Sequence, residues 1–309
     1  MTRAGSGAAS PRQPTLRQLR TYLALVEAGG VAAAAQALHL TQPAASQHLR
    51  ELESIFGVRL LDRARGRTVP TAAGDAIIEP SRRALAAIAD AMAAAAPYAS
   101  QAVGRVRLGT GATACIHLLP PVLRAVKQAM PGLEIIIVTG NTEEIVRRIE
   151  DGDIDIGLVT LPHPIGRGLH VEKLLADPLV ALLPVEDLPA GAATRPAITA
   201  AELKRWPLIL YERGGATRRV IDAWLGTAKV LPNIIMELGN IEAIKVLVGL
   251  GLGASILPGL AVRTPVPGAI VRPLRPVPNR HLGTVLRKEK ILSPGLRLLL
   301  REIRALGQR

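Results

Sequence analysis

Between Gly104 and Leu161 the hydrophobic period of the chain alternates repeatedly. An extended run at Val106–Gly109 gives way to a helical one at Ile116–Ala129. A second extended run, Glu134–Val138, leads to a second helix, Thr142–Glu150, and "DIDIGLVTL" reads as a third strand. A β-α-β-α-β order constrains a chain strongly, because strands joined by crossover helices lie parallel, and the helices must cover the sheet. From Leu179 a second unit of this kind is expected: strands "PLVALL" and "LIL", helix Thr217–Leu225, strand "NIIMEL" and helix Ile241–Leu250. "HLGTVLRK" and a helix near Gly295–Leu306 come last. The expected division of this region, 104–309, is subdomain I over 104–178 and 281–309 and subdomain II over 179–280.

The chain has 309 residues, long for one core, and its N-terminal third follows a different pattern. "TLRQLRTYLALVEAGG" places Leu16, Leu19, Leu23 and Val26 at helical spacing and stops at Gly29-Gly30. "VAAAAQALHL" is a short second helix ending near His39, and Thr41 then caps a third. Three short helices with a tight turn between the last two predict a helix-turn-helix. "VRLLDRARGRTVPTAAG" adds two extended pieces around Arg63–Arg67, a basic wing. The expected boundaries are a disordered tail over 1–14, a winged helix-turn-helix over 15–73 and a linker helix over 74–100. The linker stripe of Ile77, Leu85, Ile88 and Met92 on an alanine-rich helix is too thin to hold alone and predicts pairing with a second copy.

The third helix, "LTQPAASQHLRELE", has an uneven profile. Its first turn is small and polar (Thr41, Gln42, Pro43, Ala44, Ser46), and leucines arrive only at Leu49 and Leu52. Ala45, Leu49, Leu52 and Phe56 are expected to face inward. Gln42, Pro43, Ser46, Gln47 and Arg50 then fall on the outer face. A small polar front lets a helix end approach base edges; Gln can pair with adenine, and Arg with guanine or phosphate.

Net charge is +13, distributed as +4 over residues 1–100, +1 over 101–269 and +8 over 270–309. Basic ends on a neutral middle suggest a polyanion partner. Aromatics are only 2%, which argues against stacking platforms for single strands. Cys115 is the single cysteine, so no internal disulfide can form, and this fits a reducing cytoplasm. The run Val246–Val262 is short and broken by glycines and Pro258, and is expected as a buried helix end, a turn and a strand. No signal-peptide pattern opens the chain, the six histidines lack metal-ligand spacing, and no Ser-His-Asp grouping or phosphate-binding glycine loop stands out.

The register of Ala34-Ala35, Leu38, Thr41-Gln42-Pro43-Ala44, Ser46, Leu49, Leu52-Glu53, Gly57, Leu60, Arg63, Thr71 and Gly74 resembles the DNA-binding region of LysR-type transcriptional regulators. "DGDIDIGLV" and "IEAIKVLVGLGLGASILP" sit where that family has similar segments. The resemblance covers about Thr15 to Leu306. It implies an α/β protein: a winged helix-turn-helix, a linker helix and a two-subdomain effector domain like that of periplasmic binding proteins. It further implies a cytoplasmic, non-enzymatic regulator of promoter DNA, dimeric through the linker helix and assembled as a homotetramer, with no cofactor and no membrane partner. Two departures concern stability: Ala32 stands where the family has a capping Ser or Thr, and Ala45 where it often has Leu.

DNA contacts are therefore expected from Thr41, Gln42, Pro43, Ser46, Gln47 and Arg50, with Arg65 and Arg67 of the wing on phosphates or the minor groove. A small, anionic effector is expected between the two α/β subdomains, where three loops precede helices. These supply Thr113, Ala114 and Cys115; Asn141 and Thr142; and Gly215 and Thr217. The threonines have an alternative role as plain helix caps, and Cys115 reads as a buried small residue. Two other readings remain open from the residues alone. A solute-binding receptor would need a signal or anchor, and an enzyme with an accessory DNA-binding domain would need acid/base groups in the crevice.

Overall fold

Thr15 opens the first helix with a capping box: its hydroxyl accepts from Gln18 N–H, and the Gln18 side chain accepts from Thr15 N–H. The helices that follow are α1 (Leu16–Ala28), α2 (Val31–Ala37) and α3 (Gln42–Phe56). Strands β1 (Leu61–Ala64) and β2 (Arg67–Pro70) pair antiparallel as the wing, and α4 (Ala72–Ala99) is the long helix after it. This computed structural model describes residues 12–64, 67–99, 104–186, 197–227 and 231–308. The first eleven residues of the expected tail lie outside the described residues. Contacts divide the chain into two units, Met1–Ala91 and Met92–Arg309.

The first unit closes around Leu19, Tyr22, Leu25, Ala34, Leu52 and Leu60, with Ile77 and Leu85 of α4 resting on them. Burial and the nearby Asp75 push the Tyr22 phenol up to about 12, so it stays neutral. The wing is tied back by Thr68 N–H to Gly29 carbonyl oxygen at 2.9 Å. Gly57 ends α3 in the left-handed region at φ 70°. Gly74 is required for another reason: a Cβ there would stand 2.1 Å from the Leu60 carbonyl oxygen. Two expectations are corrected. Phe56 is 40% exposed, because α3 outruns the core by its last turn before the Gly57 stop. The cap of α2 is Gly30, without a side-chain bond, so Ala32 sits inside the first turn and is not the capping position.

In the second unit, β3 (Arg105–Thr110), α5 (Ala112–His117), α6 (Leu119–Ala129), β4 (Glu134–Thr139), α7 (Thr142–Glu150) and β5 (Ile156–Leu161) follow the alternating pattern. The helix expected at Ile116–Ala129 is broken at Leu118, since Pro120 and Pro121 lack amide hydrogens and fit only a new first turn. Next come β6 (Leu169–Pro184), β7 (Ile198–Thr199), α8 (Ala200–Leu203), β8 (Leu208–Tyr211), α9 (Ala216–Gly226), β9 (Ile234–Leu238), α10 (Ile241–Gly249), β10 (Ser255–Pro258), β11 (Ala269–Arg275), β12 (Asn279–Arg287) and α11 (Pro294–Arg304).

Strand β3 lies parallel between β4 and β5. The main sheet runs β4-β3-β5-β12-β6-β11-β7, with β10 also on β6, while β8 and β9 pair separately and parallel. Strand β6 changes partners along its length, from β12 through Pro178 to β10 and β11 from Leu179 onward. Two lobes result. In the first, Leu108, Ile156 and Leu158 pack against Leu119 and Val126 of α6 and Leu299 and Ile303 of α11. Ile145 and Ile149 of α7 are buried with Val159 and Val285, each contributing about 1.5–3 kcal/mol. In the second, Trp206, Ile221 and Trp224 pack on Leu208 and Leu210, and Ile244 and Val248 on Ile209 and Leu257.

The run at Val246–Val262 does form a helix end, a turn and a strand, but Val246, Leu250 and Leu252 are exposed rather than buried, because α10 turns only its Ile241–Ile244–Val248 stripe inward. Among the described residues no helix is long and apolar enough to cross a membrane.

Candidate functional site

On the first unit, Thr41 caps α3 by accepting from Ala44 N–H at 3.3 Å, and Pro43 fits the first turn. Ala45 and Leu52 are buried, and Leu49 packs partly buried against them, so the helix is anchored along one stripe. Thr41, Gln42, Pro43, Gln47 and Arg50 are exposed, and Ser46 is half-buried between the two faces. Gln47 donates to Glu51 Oε1 at 2.9 Å. Arg65 lies outside the described residues, and for Arg67 only its place in β2 is described. The described part of this surface offers amides, hydroxyls and the Arg50 guanidinium, the chemistry that reads base edges and phosphates.

In the second unit a cavity of about 360 Å³ opens between the two lobes, among the ends of β3, β5 and β8 and the starts of α5, α7 and α9. Thr113, Ala114, Asn141, Thr142, Gly215 and Thr217 all line it. Cys115 does not line it and is half-buried, because the next step around α5 carries its side chain off the cavity side. The threonines are not the capping residues: Gly111, Asn141 and Gly215 hold those positions, and only Asn141 among them makes a side-chain cap bond. Thr142 instead accepts Thr160 N–H at 3.2 Å, and Thr217 accepts from Arg280 at 2.8 Å.

Arg280 is the functional-site residue that sequence reasoning missed. Its side chain and that of Asp177 are 4% and 1% exposed and meet at 2.7 and 3.0 Å, with further bonds from Arg280 to Thr160 and Thr217. Asp177 also accepts Leu260 N–H at 3.0 Å. The guanidinium is thus neutralised and orients two hydroxyls in the cavity wall. Arg218, also in the lining, is taken up by Asp222, Glu237 and the Tyr211 carbonyl. Tyr211 places its phenol beside Thr113; burial pushes it up, so it is a neutral hydroxyl at physiological pH. The polar wall is therefore made of hydroxyls, helix-start amides and neutralised cations, with Glu144 and Glu212 also in the lining.

Several basic residues of the C-terminal segment are paired within the chain, although Arg301 and Arg304 stay exposed. Arg287 donates to Ile149 carbonyl oxygen, Lys290 pairs with Asp155, Arg301 with Glu302 and Arg304 with Glu172. Arg275, Lys288 and Arg297 are exposed without such a bond among the described residues, so part of the +8 excess is taken up within the chain. Among the described residues no group of His, Cys, Asp or Glu could hold a metal ion.

Comparison with known proteins matches residues 16–75 to the bacterial regulatory helix-turn-helix protein, lysR family, and residues 99–308 to the LysR substrate binding domain. The transcriptional regulator CbbR of Xanthobacter flavus is 33% identical over 92% of this chain and 86% of its own length. Among solved structures, full-length CbnR complexed with its target DNA is 26% identical, with a TM-score of 0.58, covering 94% of this chain and 99% of that one. A full-length OxyR from Pseudomonas aeruginosa, 22% identical over 95% of each chain, shares the fold at a TM-score of 0.66.

Proposed function

The chain belongs to the LysR family of transcriptional regulators, DNA-binding proteins with an effector-binding domain and not enzymes, and from that premise we propose which residues carry each task. The front of α3 enters the major groove, with Thr41, Gln42, Pro43, Ser46, Gln47 and Arg50 at the DNA and Arg65 and Arg67 of the wing on phosphates or the minor groove. One observation carries this reading: α3 buries Ala45 and Leu52 while leaving Gln42, Pro43, Gln47 and Arg50 exposed. The effector is a small anionic molecule in the inter-lobe cavity, held by Thr113, Asn141, Thr142, Gly215 and Thr217. Helix-start amides and hydroxyls favour a carboxylate or inorganic anion. The protein works in the cytoplasm as a dimer joined through α4, two dimers forming a tetramer.

Fluorescence-polarisation titration of specific and random duplexes tests the DNA assignment. Gln47→Ala is expected to weaken the specific site alone, by about 1–3 kcal/mol if it reads a base. Unchanged binding in both Gln47→Ala and Arg50→Ala removes the assignment. For the effector, a thermal-shift series of carboxylates and inorganic anions should stabilise the wild type and lose its effect in Thr113→Val/Thr217→Val. An effector that binds equally well to that variant lies elsewhere.

A further inference from the structure

The segment ahead of α1 lies outside the stretch matched to the lysR-family helix-turn-helix, which begins at residue 16, yet its described part lies on the first unit beside α3. Helices α1 and α3 meet antiparallel: Gln18 donates to Glu51 at 2.8 Å, and one turn further along α1 Thr21 bonds His48 at 2.9 Å. Going back from Gln18 therefore runs the chain along α3 toward Ser54. There a groove of about 480 Å³ has Arg12 and Gln13 on one side and Gln47, Arg50 and Ser54 on the other. Both arginines are exposed, and neither is taken up by an ion pair among the described residues. Glu51 also lines the groove. Its two oxygens already accept amide hydrogens from Gln47 and Gln18, and with Arg12 and His48 these hold its carboxyl below the usual range. The groove thus keeps a net positive charge and is continuous with the exposed side of α3.

We infer that Arg12 is a DNA-backbone contact, acting with Arg50 as a two-guanidinium clamp on the phosphodiester chain that flanks the bases read by α3. This rests on the reading of α3 as the recognition helix. Guanidinium groups match phosphate oxygens in a forked geometry, and two of them on one groove suit a repeating anion better than an isolated one. The segment before α1 extends the DNA-facing surface by charge and leaves base reading to α3.

The experiment is a salt titration of the full-length protein on random and specific duplexes from about 50 to about 200 mM salt, comparing wild type, Arg12→Ala, Arg12→Lys, Arg50→Ala and the double alanine variant. Removing one phosphate-bound cation should flatten the slope of log affinity against log salt by about 0.9, so Arg12→Ala should flatten it by about that much on both duplexes. The double variant should flatten it by about 1.8, and Arg12→Lys should recover most of the charge effect. If Arg12→Ala leaves the slope unchanged while Arg50→Ala flattens it, the clamp is wrong and the recognition helix stands. If neither changes the slope or the affinity, the reading of α3 itself fails. A weakening confined to the specific duplex overturns the phosphate assignment.

Discussion

Arg280→Met leaves the Asp177 carboxylate, 1% exposed, without its cation and leaves Thr160 and Thr217 without their guanidinium donor. Removing one partner of a buried pair costs about 3–5 kcal/mol, because the surviving charge stays desolvated. Asp177→Leu should cost a similar amount, since it strands the guanidinium and also leaves Leu260 N–H without its acceptor. The double variant removes both charges. Its remaining cost is the unpaired Leu260 amide, about 1–3 kcal/mol, and a smaller cost for the two threonine hydroxyls, which line the cavity. The double-mutant cycle should therefore show a coupling of several kcal/mol, with the double variant more stable than either single one. Urea denaturation measures it directly. In thermal melts each single change should lower Tm of the unit Met92–Arg309 by about 6–20 °C, at about 2–4 °C per kcal/mol for a unit of its size. Additive losses, or a single change costing under about 1 kcal/mol, would refute the claim that this pair is a desolvated junction beneath the cavity.

Two further outcomes follow from surfaces and charge. Met92 and Ile88 of α4 are 71% and 40% exposed in one chain, so Ile88→Glu/Met92→Glu should shift sedimentation toward monomer while leaving the fold intact; an unchanged dimer means that α4 is not the joint. Burial, followed by Arg219, lowers the pKa of His163, whose Nδ1 lies 3.0 Å from Arg219, and the opposing pull of Glu143 is smaller. The unfolded chain therefore takes up this proton first, near pH 6.5, and stability falls as pH drops from there toward the lower folded pKa, then levels off. The loss of Tm between about pH 7.5 and about pH 5.5 should be smaller in His163→Gln; an equal loss would show that this imidazole does not govern the window.

The helix-turn-helix was legible because its signals are local. Thr41, Pro43, the Ala45–Leu52 stripe and the Gly57 stop each act within a few residues, and each recurs in the structure. The same local reasoning placed Asn141, Thr142, Gly215 and Thr217 at helix starts, whereas Thr113, expected in a loop, lies in the first turn of α5, and the fold gathers these helix starts around one cavity. It failed where a side chain's role depends on a distant partner. Asp177 and Arg280 carry no local signal, being 103 residues apart in sequence. The basic C-terminal segment looked like a polyanion surface because charge can be counted from sequence, whereas Asp155 and Glu172, which take up Lys290 and Arg304, lie more than a hundred residues earlier.

The sequence by itself determined the elements and their order, because helical and extended periods, caps and prolines act over a turn or two of chain. Tertiary structure alone decided which charges are spent inside and which remain outside. Arg280 is spent on Asp177 beneath the cavity, while Arg12 stays exposed beside Arg50. The physical reason is desolvation: burial forces a charge to find a partner, and which partner it finds depends on strands and helices that meet only in the fold.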